Sequence, residues 1–592
     1  MTRRKKTNMD YRKQYEAWLA SPALTNDEKN ELLSIANDEK EIESRFFSRL
    51  EFGTAGLRGI MAVGLFRMNI HVIRHTTQAL AELVLDEPGD NKCVAIAYDC
   101  RINSENFARE AASIIAANGI NVRIFDALRP TPELSFAIRE YGCIAGINIT
   151  ASHNPKEYNG YKVYWADGAQ LPPQHAKIVA EKMDKLDMFT SIRKMDYDEA
   201  IKQGLITIMG EETDKLFMKN VMAQANDSES VKKVADTFKL VYTPFHGAGH
   251  KMVPQALSQL GLKHIICVPE QMVIDGNFPT VVSPNPENPE GFYLAVDLAK
   301  KHGADLIIGT DPDSDRVGIM VRATNTNAHA SDPAISSDDY VVLSGNQTGV
   351  LLIDYMIGAK QRAGTLPTKP TILKSLVTTE MARHVAEVSN IDCFDTFTGF
   401  KFMAEKKNAL EAAGEGNVFF SYEESYGYMI GDFVRDKDAV TASMLIAEMA
   451  AWYAGQGLNL YEAMQKLYEK YGQYGEETLN LVMPGLDGIA KMRDLMIGLR
   501  EKPPIEISGV KVIMRRDYQN GTELDVVTGE TKDIELSGSN VLRFGLEDGT
   551  AVIVRPSGTE PKVKVYILAK ATTRPQCDEK VAKYSKWAES LA

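Results

Sequence analysis

The chain is short of cysteine and has no long apolar run. Its six cysteines are scattered through 592 residues and none forms a Cys-x-x-Cys pair, so we expect free thiols of a reducing compartment rather than a disulfide framework. No stretch of about 18 apolar residues occurs and no apolar run follows the basic N-terminus, so neither a membrane span nor a secretory signal is expected. These absences predict a cytoplasmic protein with no membrane partner.

Positive charge is also in deficit. The sequence has 67 lysines and arginines against 80 aspartates and glutamates, a net charge of −13. This balance argues against a general nucleic-acid-binding protein or a protein that binds anionic membranes. A few local basic residues can still bind a small anionic substrate. The hydrophobic content of 44% and the length are ordinary for several globular domains, and we expect a monomer or a homodimer.

Strand-like and helix-like segments alternate along most of the chain. Residues 94–98 and 122–125 are strand-like and flank a helical pattern over 104–118; the alternation restarts at 238–242 and again near 339. Short strands and turns replace it after about residue 475. The sequence therefore predicts three related mixed α/β domains and a C-terminal α+β domain. The expected segments are an N-terminal helical segment at 1–45 that docks onto the first domain, and domains at 46–215, 216–330, 331–475 and 476–592.

A serine stands beside a histidine at the end of a predicted strand. The apolar run 143–149 leads into Thr-Ala-Ser-His-Asn-Pro, with Ser152 and His153 at its centre. A serine in a tight turn beside a histidine indicates a nucleophile or a phosphate carrier, although a capped turn would use the same residue types. A Ser-His-Asp hydrolase is a poor alternative, because the Gly-x-Ser-x-Gly elbow is absent and adjacent Ser and His are badly placed to hydrogen bond.

Three aspartates at alternate positions follow another predicted strand. Alternate side chains of an extended segment point the same way, so Asp311, Asp313 and Asp315 are expected to converge on one ion. Carboxylate oxygens suit Mg²⁺. An EF-hand is disfavoured because the loop has no glycine at its sixth position and no glutamate at its twelfth. A solvated acidic turn is the alternative interpretation.

Two later loops could hold a phosphorylated sugar. Residues 420–428, rich in Glu, Ser and Tyr, offer carboxylates for vicinal hydroxyls, and 398–401 place a lysine after a glycine. Residues 554–562 combine an arginine, hydroxyls and a glycine in a phosphate cradle without Walker spacing. Acidic or Pro/Gly surface turns would explain either loop alone. Arg58 lies in a glycine-rich predicted turn that a phosphate could approach, and Lys162 follows Ser152 by ten residues. Taken alone, each is more often a surface charge than a catalyst.

Together and in this order, the four loops resemble the α-D-phosphohexomutase family over about residues 45 to 590. The resemblance implies an α/β fold of four domains around a central cleft, three of them with one topology. It identifies Ser152 with a phosphoserine that also contacts Mg²⁺, and the three aspartates with the Mg²⁺ ligands. The other implied residues are His153 supporting the serine loop, Lys162 in proton transfer, Arg58 and Arg316 on the transferred phosphate, Thr398, Gly399, Lys401, Glu423 and Ser425 at the sugar, and Arg555, Ser557, Gly558 and Thr559 at the non-reacting phosphate.

The implied activity is the interconversion of glucose 1-phosphate and glucose 6-phosphate through a glucose 1,6-bisphosphate intermediate. Glu-Glu-Ser resembles the glucose-type sugar loop, and the histidine of the bifunctional phosphomannomutase loop is missing. The metal loop reads Asp-Pro-Asp-Ser-Asp where many relatives have Asp-Gly-Asp-Gly-Asp. That form, with the N-terminal segment and the length, resembles the branch of phosphoglucomutases and phosphopentomutases. Mannose, pentose and sugar-bisphosphate synthase activities stay open.

Two other classes of protein could contain some of these loops. A phosphatase or phosphodiesterase using the Asp-rich loop would release inorganic phosphate, but it leaves the Ser152 and Arg555 loops unexplained. A silent sugar-phosphate sensor would bind without turnover, and the intact serine, aspartates and phosphate loop argue against it.

Overall fold

The computed structural model describes residues 10–53, 56–90, 92–323, 340–483, 488–557 and 562–591. They form two compact units: unit 1 is drawn from residues 1–320 and 426–455, and unit 2 from residues 321–425 and 456–592. Among the described helices, none combines the length and the apolar character that crossing a membrane requires.

Helices and strands alternate up to residue 310 as the sequence predicts. A 3₁₀ turn at Pro289–Phe292 precedes the last helix of this part. In chain order the elements are α1 (Tyr11–Ala20), α2 (Asn26–Ser34), α3 (Glu39–Phe46), β1 (Gly56–Ile60), α4 (Ile70–Asp86), β2 (Cys93–Tyr98), α5 (Ser104–Ala117), β3 (Asn121–Phe125), α6 (Thr131–Glu140), β4 (Ala145–Ile149), β5 (Tyr158–Trp165), α7 (Pro173–Met183), α8 (Tyr197–Lys202), β6 (Ile206–Met209), α9 (Glu211–Met222), α10 (Ser228–Val234), β7 (Lys239–Thr243), α11 (Gly249–Leu260), β8 (His264–Cys267), α12 (Pro269–Met272), α13 (Tyr293–His302) and β9 (Leu306–Thr310).

The rest of the chain contains a third run of alternating strands and helices, and from β16 onward most of its strands are antiparallel. Its elements are β10 (Val317–Arg322), β11 (Tyr340–Leu343), α14 (Gly345–Ala363), β12 (Pro370–Ser375), α15 (Glu380–Val388), β13 (Asp392–Thr396), α16 (Phe400–Ala413), β14 (Asn417–Glu423), β15 (Gly427–Ile430), α17 (Ala439–Ala454), α18 (Leu460–Tyr471), β16 (Gln473–Val482), α19 (Gly488–Glu501), β17 (Glu506–Ile507), β18 (Val510–Asp517), β19 (Thr522–Asp525), β20 (Thr531–Asp533), β21 (Leu542–Leu546), β22 (Ala551–Pro556), β23 (Lys562–Ala571) and α20 (Arg574–Glu589).

The N-terminal helices pack onto the first α/β domain of unit 1. Trp18 of α1 is buried, and its ring makes edge contacts with Phe46 of α3 and with Phe189 beyond α7. Glu28 of α2 lies 2.9 Å from the His71 ring of α4. Buried aromatic pairs of this kind add about 0.5–1.5 kcal/mol beyond the area they remove from water. The expectation that the N-terminal helical segment docks onto the first domain is confirmed for its described residues.

Three sheets share one strand order. In each, the first of three parallel strands lies in the middle, with the second strand on one side and the third on the other: β4-β2-β3, β9-β7-β8 and β14-β12-β13. In the first sheet β5 runs antiparallel to β4, and β1 antiparallel to β5. The repeated order confirms the prediction of three related mixed α/β domains. The arrangement of the domains around a central cleft stays a prediction, and so do the domain boundaries.

The third strand of each repeat leads directly into a predicted functional loop. The carboxyl end of β4 leads to Ser152, that of β9 to Asp311, and that of β14 to Glu423. Ligand sites of open α/β sheets form at the carboxyl ends of parallel strands. The fold therefore presents three different chemical loops at equivalent positions of three similar sheets.

The C-terminal part of unit 2 is an antiparallel sheet with helices on it. The strand order is β16-β23-β22-β21-β18-β19-β20, and β17 pairs with β18. Apolar side chains of β21, β22 and β23 form its core with α20 and α19. A second cluster joins Leu376 and Val377, which follow β12, to Ile553 and Tyr566 of this sheet. The predicted C-terminal α+β domain is confirmed.

Candidate functional site

Ser152 lies in a buried turn at the carboxyl end of β4. Its φ is +53°, in the left-handed region that non-glycine residues seldom adopt. The Ser152 N–H donates a hydrogen bond to Thr150 Oγ1 at 2.8 Å, which holds the turn. Gly160 of β5 packs closely against the Thr150 backbone. A Cβ at Gly160 would come 2.4 Å from the Thr150 carbonyl oxygen. The strained turn and its glycine neighbour fix the serine hydroxyl rather than leave it on a free loop.

A buried arginine braces the serine turn. Arg101 follows β2, and its guanidinium donates to the carbonyl oxygen of Ser152 at 2.6 Å and to that of Asn154. Asp99 pairs with the same guanidinium at 3.3 Å, and both side chains are fully buried. A planar guanidinium with several donors suits a bracket of this kind. Arg101 was missed in the sequence analysis.

The hydroxyl of Ser152 contacts two side chains. It donates to Asp311 Oδ2 at 2.6 Å, and its oxygen lies 3.2 Å from His153 Nδ1. The expectation that adjacent Ser and His are badly placed to hydrogen bond is wrong, because the left-handed backbone at Ser152 brings the two side chains together. Burial, followed by the positive charges of Arg316 and Arg58, holds the pKa of His153 well below its ordinary value. The ring is therefore neutral.

The three aspartates converge in a turn rather than in an extended segment. Residues 312–314 turn, and Ser314 has a φ of +52°. One carboxylate oxygen of each of Asp311, Asp313 and Asp315 lies within 4.8 Å of the others. All three are at most 1% exposed, which excludes a solvated acidic turn. The predicted convergence is confirmed, but the local geometry behind it differs from the prediction.

Two lysines neutralise this acidic cluster. Lys162 Nζ of β5 lies 2.7 Å from Asp313 Oδ2 and 3.4 Å from Asp315 Oδ2. Lys437 Nζ lies 3.1 Å from Asp315 Oδ2, and Thr131 Oγ1 donates to Asp313 Oδ2 at 3.0 Å. Lys437 and Thr131 carried no signal in the sequence analysis, because they lie far along the chain from the aspartates they contact.

The protonation of the cluster follows from burial and charge. Burial, with the neighbouring aspartates, raises the pKa of Asp311 well above its ordinary value. Burial would also raise the pKa of Asp313, but the Lys162 charge and hydrogen bonds outweigh it and lower that pKa. Burial would lower the pKa of Lys162, yet Asp313 and Asp315 raise it. Lys162 and Asp313 therefore form a charged pair beside an aspartate that holds its proton more tightly.

The donor set of the acidic loop fits a divalent cation. Among the described residues, Asp313 Oδ1 and Asp315 Oδ1 are buried and have no hydrogen-bond partner. Buried carboxylate oxygens without a partner are costly unless a cation is bound. Hard oxygen ligands favour Mg²⁺ or Ca²⁺ over softer metals. The loop can hold one metal ion through Asp311, Asp313 and Asp315.

The two arginines predicted near the transferred phosphate lie in unit 1. Arg58 is in strand β1 and not in a turn, which corrects the sequence analysis, because Gly56–Ile60 pairs with β5 in regular antiparallel register. Its guanidinium donates to Asn154 Oδ1 of the serine loop at 3.0 Å. Arg316 follows the acidic loop and lies 2.7 Å from Glu287 Oε1. The serine loop, the acidic loop, both arginines and both lysines thus meet within unit 1.

The predicted sugar loop lies in unit 2. Glu423 ends β14, and its Oε1 accepts from the Gly399 N–H at 2.5 Å. Gly399 has a φ of +119°, a conformation that glycine permits. Glu424 accepts from Ser375 Oγ at 3.0 Å and from Thr378 Oγ1 at 3.2 Å. Glu423 thus binds the segment before α16, and Glu424 binds the loop after β12.

Other predicted sugar residues surround this contact. Lys401 is in the first turn of α16, with its Nζ 4.9 Å from the ring centre of Phe402, and burial lowers its pKa. Thr398 Oγ1 is buried, and within the described residues it has no hydrogen-bond partner. Ser425 stands in the turn after β14. The structure brings Gly399 and Glu423 into contact, and the sugar-binding roles of all five residues stay predictions.

The predicted phosphate loop is described only in part. Arg555 is in β22, and its guanidinium donates to Tyr566 Oη of β23 at 3.3 Å. The Ser557 N–H donates to the Lys562 carbonyl oxygen at 2.8 Å, which closes the base of the loop. Gly558 and Thr559 lie outside the described residues. Tyr566 was not singled out in the sequence analysis, since a tyrosine within a strand is most often a packing residue.

Comparison with known families gives four matches in chain order. The models described as "Phosphoglucomutase/phosphomannomutase, alpha/beta/alpha domain" I, II and III match residues 49–189, 215–324 and 344–471. The C-terminal domain of the same family matches residues 510–574. Each of the first three matches includes one repeat of the shared strand order.

Two curated relatives with the same name match this chain over most of its length. A protein of Staphylococcus saprophyticus named phosphoglucomutase is 34% identical over 528 residues, which cover 89% of this chain and 92% of that protein. Its counterpart in Staphylococcus aureus is 35% identical over 540 residues, which cover 90% and 92%.

Solved structures share the fold. A putative phosphomannomutase from Thermus thermophilus superposes with a TM-score of 0.66 at 19% identity, covering 92% of this chain and 99% of that one. The open form of the Paramecium phosphoglucomutase parafusin gives a TM-score of 0.66 at 18% identity, with coverage of 93% and 95%.

Proposed function

Because the chain belongs to the phosphoglucomutase/phosphomannomutase family, we propose that it interconverts glucose 1-phosphate and glucose 6-phosphate with Ser152 as the phosphate carrier. It is an isomerase of the phosphohexomutase type. The observation that carries the proposal is the buried Ser152 hydroxyl, 2.6 Å from a carboxylate of the three-aspartate cluster.

In phosphoryl transfer the protein contributes mainly by positioning the reacting groups and neutralising charge, and it does little covalent chemistry itself. Arg101 and the Thr150 contact fix the Ser152 turn, so its oxygen holds one direction. The neutral His153 Nδ1 lies 3.2 Å from the Ser152 oxygen and is placed to take the hydroxyl proton when Ser152 receives a phosphoryl group. Asp311 Oδ2 orients the hydroxyl by accepting its hydrogen bond. Lys162, kept protonated by its aspartate partners, supplies positive charge and a proton to the departing oxygen.

Magnesium, when bound by Asp311, Asp313 and Asp315, would neutralise the charge that develops on the transferred phosphoryl group. Arg58 and Arg316 add fixed positive charge to the same part of unit 1. Arginine is suited to phosphate because its planar guanidinium binds two oxygens at once.

Unit 2 supplies recognition in this scheme. Glu423 and Ser425, with Thr398, Gly399 and Lys401, bind the sugar hydroxyls, and Arg555, Ser557, Gly558 and Thr559 bind the non-reacting phosphate. The Glu423 contact with Gly399 supports a rigid sugar loop. One phosphate-binding loop can serve both orientations of glucose 1,6-bisphosphate, because each orientation presents a phosphate to it. Phosphorylated Ser152 first gives its phosphoryl group to the sugar monophosphate, which becomes the bisphosphate. The other phosphoryl group of the bisphosphate is then transferred to the Ser152 hydroxyl.

The test is a coupled assay with Mg²⁺ and a trace of glucose 1,6-bisphosphate. Values of kcat/KM are compared for glucose 1-phosphate, mannose 1-phosphate and ribose 1-phosphate. The proposal expects a clear lead for glucose 1-phosphate and a phosphate on Ser152 in the mass spectrum of the Ser152 peptide. A lead for the pentose or mannose substrate overturns the sugar assignment, and release of inorganic phosphate without mutase turnover overturns the reaction.

A further inference from the structure

Two cysteines 50 positions apart in the chain meet in the first sheet of unit 1. Cys143 Sγ donates a hydrogen bond to Cys93 Sγ at 3.1 Å. Cys93 begins β2, Cys143 stands in the turn before β4, and the Ile144 N–H donates to the Cys93 carbonyl oxygen at 2.9 Å. The parallel ladder between β2 and β4 therefore holds the two thiols side by side. All six cysteines of the chain are free thiols in this structure.

The two thiols differ in their access to solvent. Cys143 is 1% exposed, whereas Cys93 is half-buried. Cys93 lines an open cavity of about 320 Å³, together with Arg123, Tyr141 and Gly142. The Arg123 guanidinium lies 4.2 Å from the ring centre of Tyr141, which fixes a positive charge at the rim of the cavity. A small oxidant can reach Cys93 through this opening, whereas Cys143 is buried next to Cys93 and does not line the cavity.

We propose that Cys93 and Cys143 are an oxidisable thiol pair, in which Cys93 reacts with hydrogen peroxide and Cys143 resolves the product to an intramolecular disulfide. The Cys93 thiolate attacks one peroxide oxygen, the O–O bond breaks, and Cys93 becomes a sulfenic acid as hydroxide leaves. Cys143 then loses its proton and attacks the Cys93 sulfur, which expels a second hydroxide. Two thiols and one peroxide give one disulfide and two waters.

Charge and hydrogen bonding support this division of roles. The hydrogen bond from Cys143 lowers the pKa of Cys93, and the Arg123 charge lowers it further against the opposing effect of burial. The same bond raises the pKa of Cys143, and burial adds to it. The thiolate is the reactive form of cysteine. The half-buried Cys93 is thus the nucleophile, and the buried Cys143 is the resolving thiol.

The geometry needs little movement to close the bond. The sulfurs must approach from 3.1 Å to the disulfide length of about 2.05 Å. The bond would link the amino ends of β2 and β4, whose carboxyl ends lead to Arg101 and Ser152. A cross-link between residues 50 positions apart removes many conformations from the unfolded chain. We therefore expect the oxidised protein to unfold at a higher temperature than the reduced protein.

The experiment treats the full-length chain with hydrogen peroxide at neutral pH and digests it without reductant. Mass spectrometry is expected to find a peptide pair joined through Cys93 and Cys143, and the titratable thiols are expected to fall by two from six. The melting temperature is expected to rise by several degrees and to return after reduction with dithiothreitol. Six thiols that persist, or a cross-link between other cysteines, would overturn the proposal.

Two variants separate the roles of the cysteines. In Cys143→Ser, oxidised Cys93 has no resolving partner, so we expect it to be trapped by dimedone as a sulfenic acid adduct. Cys267→Ser, which removes another half-buried strand cysteine, is the matched control and should still form the Cys93–Cys143 link. Equal dimedone labelling of Cys93 in the wild type and in Cys143→Ser would contradict the resolving role. If a variant folds poorly, the peptide map of the oxidised wild-type protein still tests whether Cys93 and Cys143 form a disulfide.

Discussion

The Ser152 hydroxyl lies 2.6 Å from Asp311 Oδ2, although the two residues are 159 positions apart. Each follows the third strand of one of the three-stranded parallel repeats, Ser152 after β4 and Asp311 after β9. The contact also orders the acidic loop, because Asp311 Oδ1 accepts from the N–H groups of Asp315 and Arg316. The Ser152 turn and the acidic loop are therefore one hydrogen-bonded unit.

Substitution of Ser152 should separate its chemical role from its structural one. Ser152→Ala and Ser152→Gly both lack the hydroxyl, so we expect mutase turnover to be lost in both. The φ of +53° is strained for alanine and easy for glycine, so Ser152→Gly should be more stable than Ser152→Ala by about 1 kcal/mol. Activity assays and urea unfolding of the two variants check this.

The outcome that counts against the carrier role is near-wild-type turnover in either variant. Equal stability of the two variants would instead show that the left-handed turn relaxes when the Asp311 contact is lost. Ser104→Ala, which removes a buried hydroxyl that donates to Asp99, serves as the control for a lost buried hydrogen bond.

Lys162 should stabilise the protein most when no cation is bound. Its Nζ lies 2.7 Å from the buried Asp313, and removing one partner of a buried pair costs about 3–5 kcal/mol in the limiting case. Lys162→Met should therefore unfold at lower urea concentration in EDTA and regain part of the loss in excess Mg²⁺. Lys177→Met removes an exposed lysine 3.9 Å from Glu181 and should change stability by less than about 1 kcal/mol in either condition.

Much of the candidate site could be predicted because its parts are local in sequence. The buried strands β4 and β9 are apolar runs that end abruptly in polar residues, and this change marks a loop at a sheet edge. The three related domains could be predicted because the alternation of strands and helices is also a local pattern in the sequence. Asp311, Asp313 and Asp315 were expected to converge, and they do.

The parts that sequence reasoning missed depend on distant contacts or on unusual backbone. Arg101 and Lys437 reach residues 51 and 122 positions away, and no spacing rule connects them to Ser152 or Asp315. The bond between Ser152 and His153 needs a positive φ at Ser152, which average strand or turn geometry does not provide. Arg101 carried one usable signal, since polar residues directly after parallel strands gather at the sheet edge where ligands bind.

Removal of one carboxylate should weaken the response to Mg²⁺. A ligand that binds the folded state at 100 times its Kd adds about 2.7 kcal/mol of stability, so Mg²⁺ should raise the melting temperature of the wild type. Asp313→Asn loses a charged ligand and the partner of Lys162, and we expect a smaller rise. Asp236→Asn, at an exposed aspartate paired with Lys263, should keep the full rise. An unchanged response in Asp313→Asn would remove Asp313 from the cation site.

Tyr566 should position Arg555, the arginine that we propose binds the non-reacting phosphate. Its hydroxyl accepts from the Arg555 guanidinium at 3.3 Å, and one such hydrogen bond contributes about 0.5–1.5 kcal/mol. Tyr566→Phe should therefore raise KM for the phosphosugar by roughly threefold to tenfold, with a smaller change in kcat. Tyr584→Phe loses a bond of 2.8 Å to Asp548 in the same domain and should lower stability without changing KM. A KM effect of equal size in both variants would assign Tyr566 a structural role only.

Asp438 should make unit 1 less stable as pH rises. It caps α17, accepting from the Val440 and Thr441 N–H groups, and it is fully buried. Burial raises its pKa to about 6 despite these bonds. The folded state therefore holds the proton more tightly than the unfolded state, whose pKa is about 3.9. The contribution of Asp438 to stability should be complete below about pH 4 and should be lost as the pH rises through 6, by up to roughly 3 kcal/mol.

Asp438→Asn keeps an oxygen for the cap without the charge. We expect it to be more stable than the wild type at pH 7.5, with a gain that disappears towards pH 4, because only the wild type then changes its charge on unfolding. Asp438→Ala loses the cap at every pH and should cost about 1 kcal/mol relative to Asp438→Asn. Urea midpoints measured from pH 4 to 8 check both expectations. A gain in Asp438→Asn that stays constant over this range would mean that the buried carboxylate is ionised throughout.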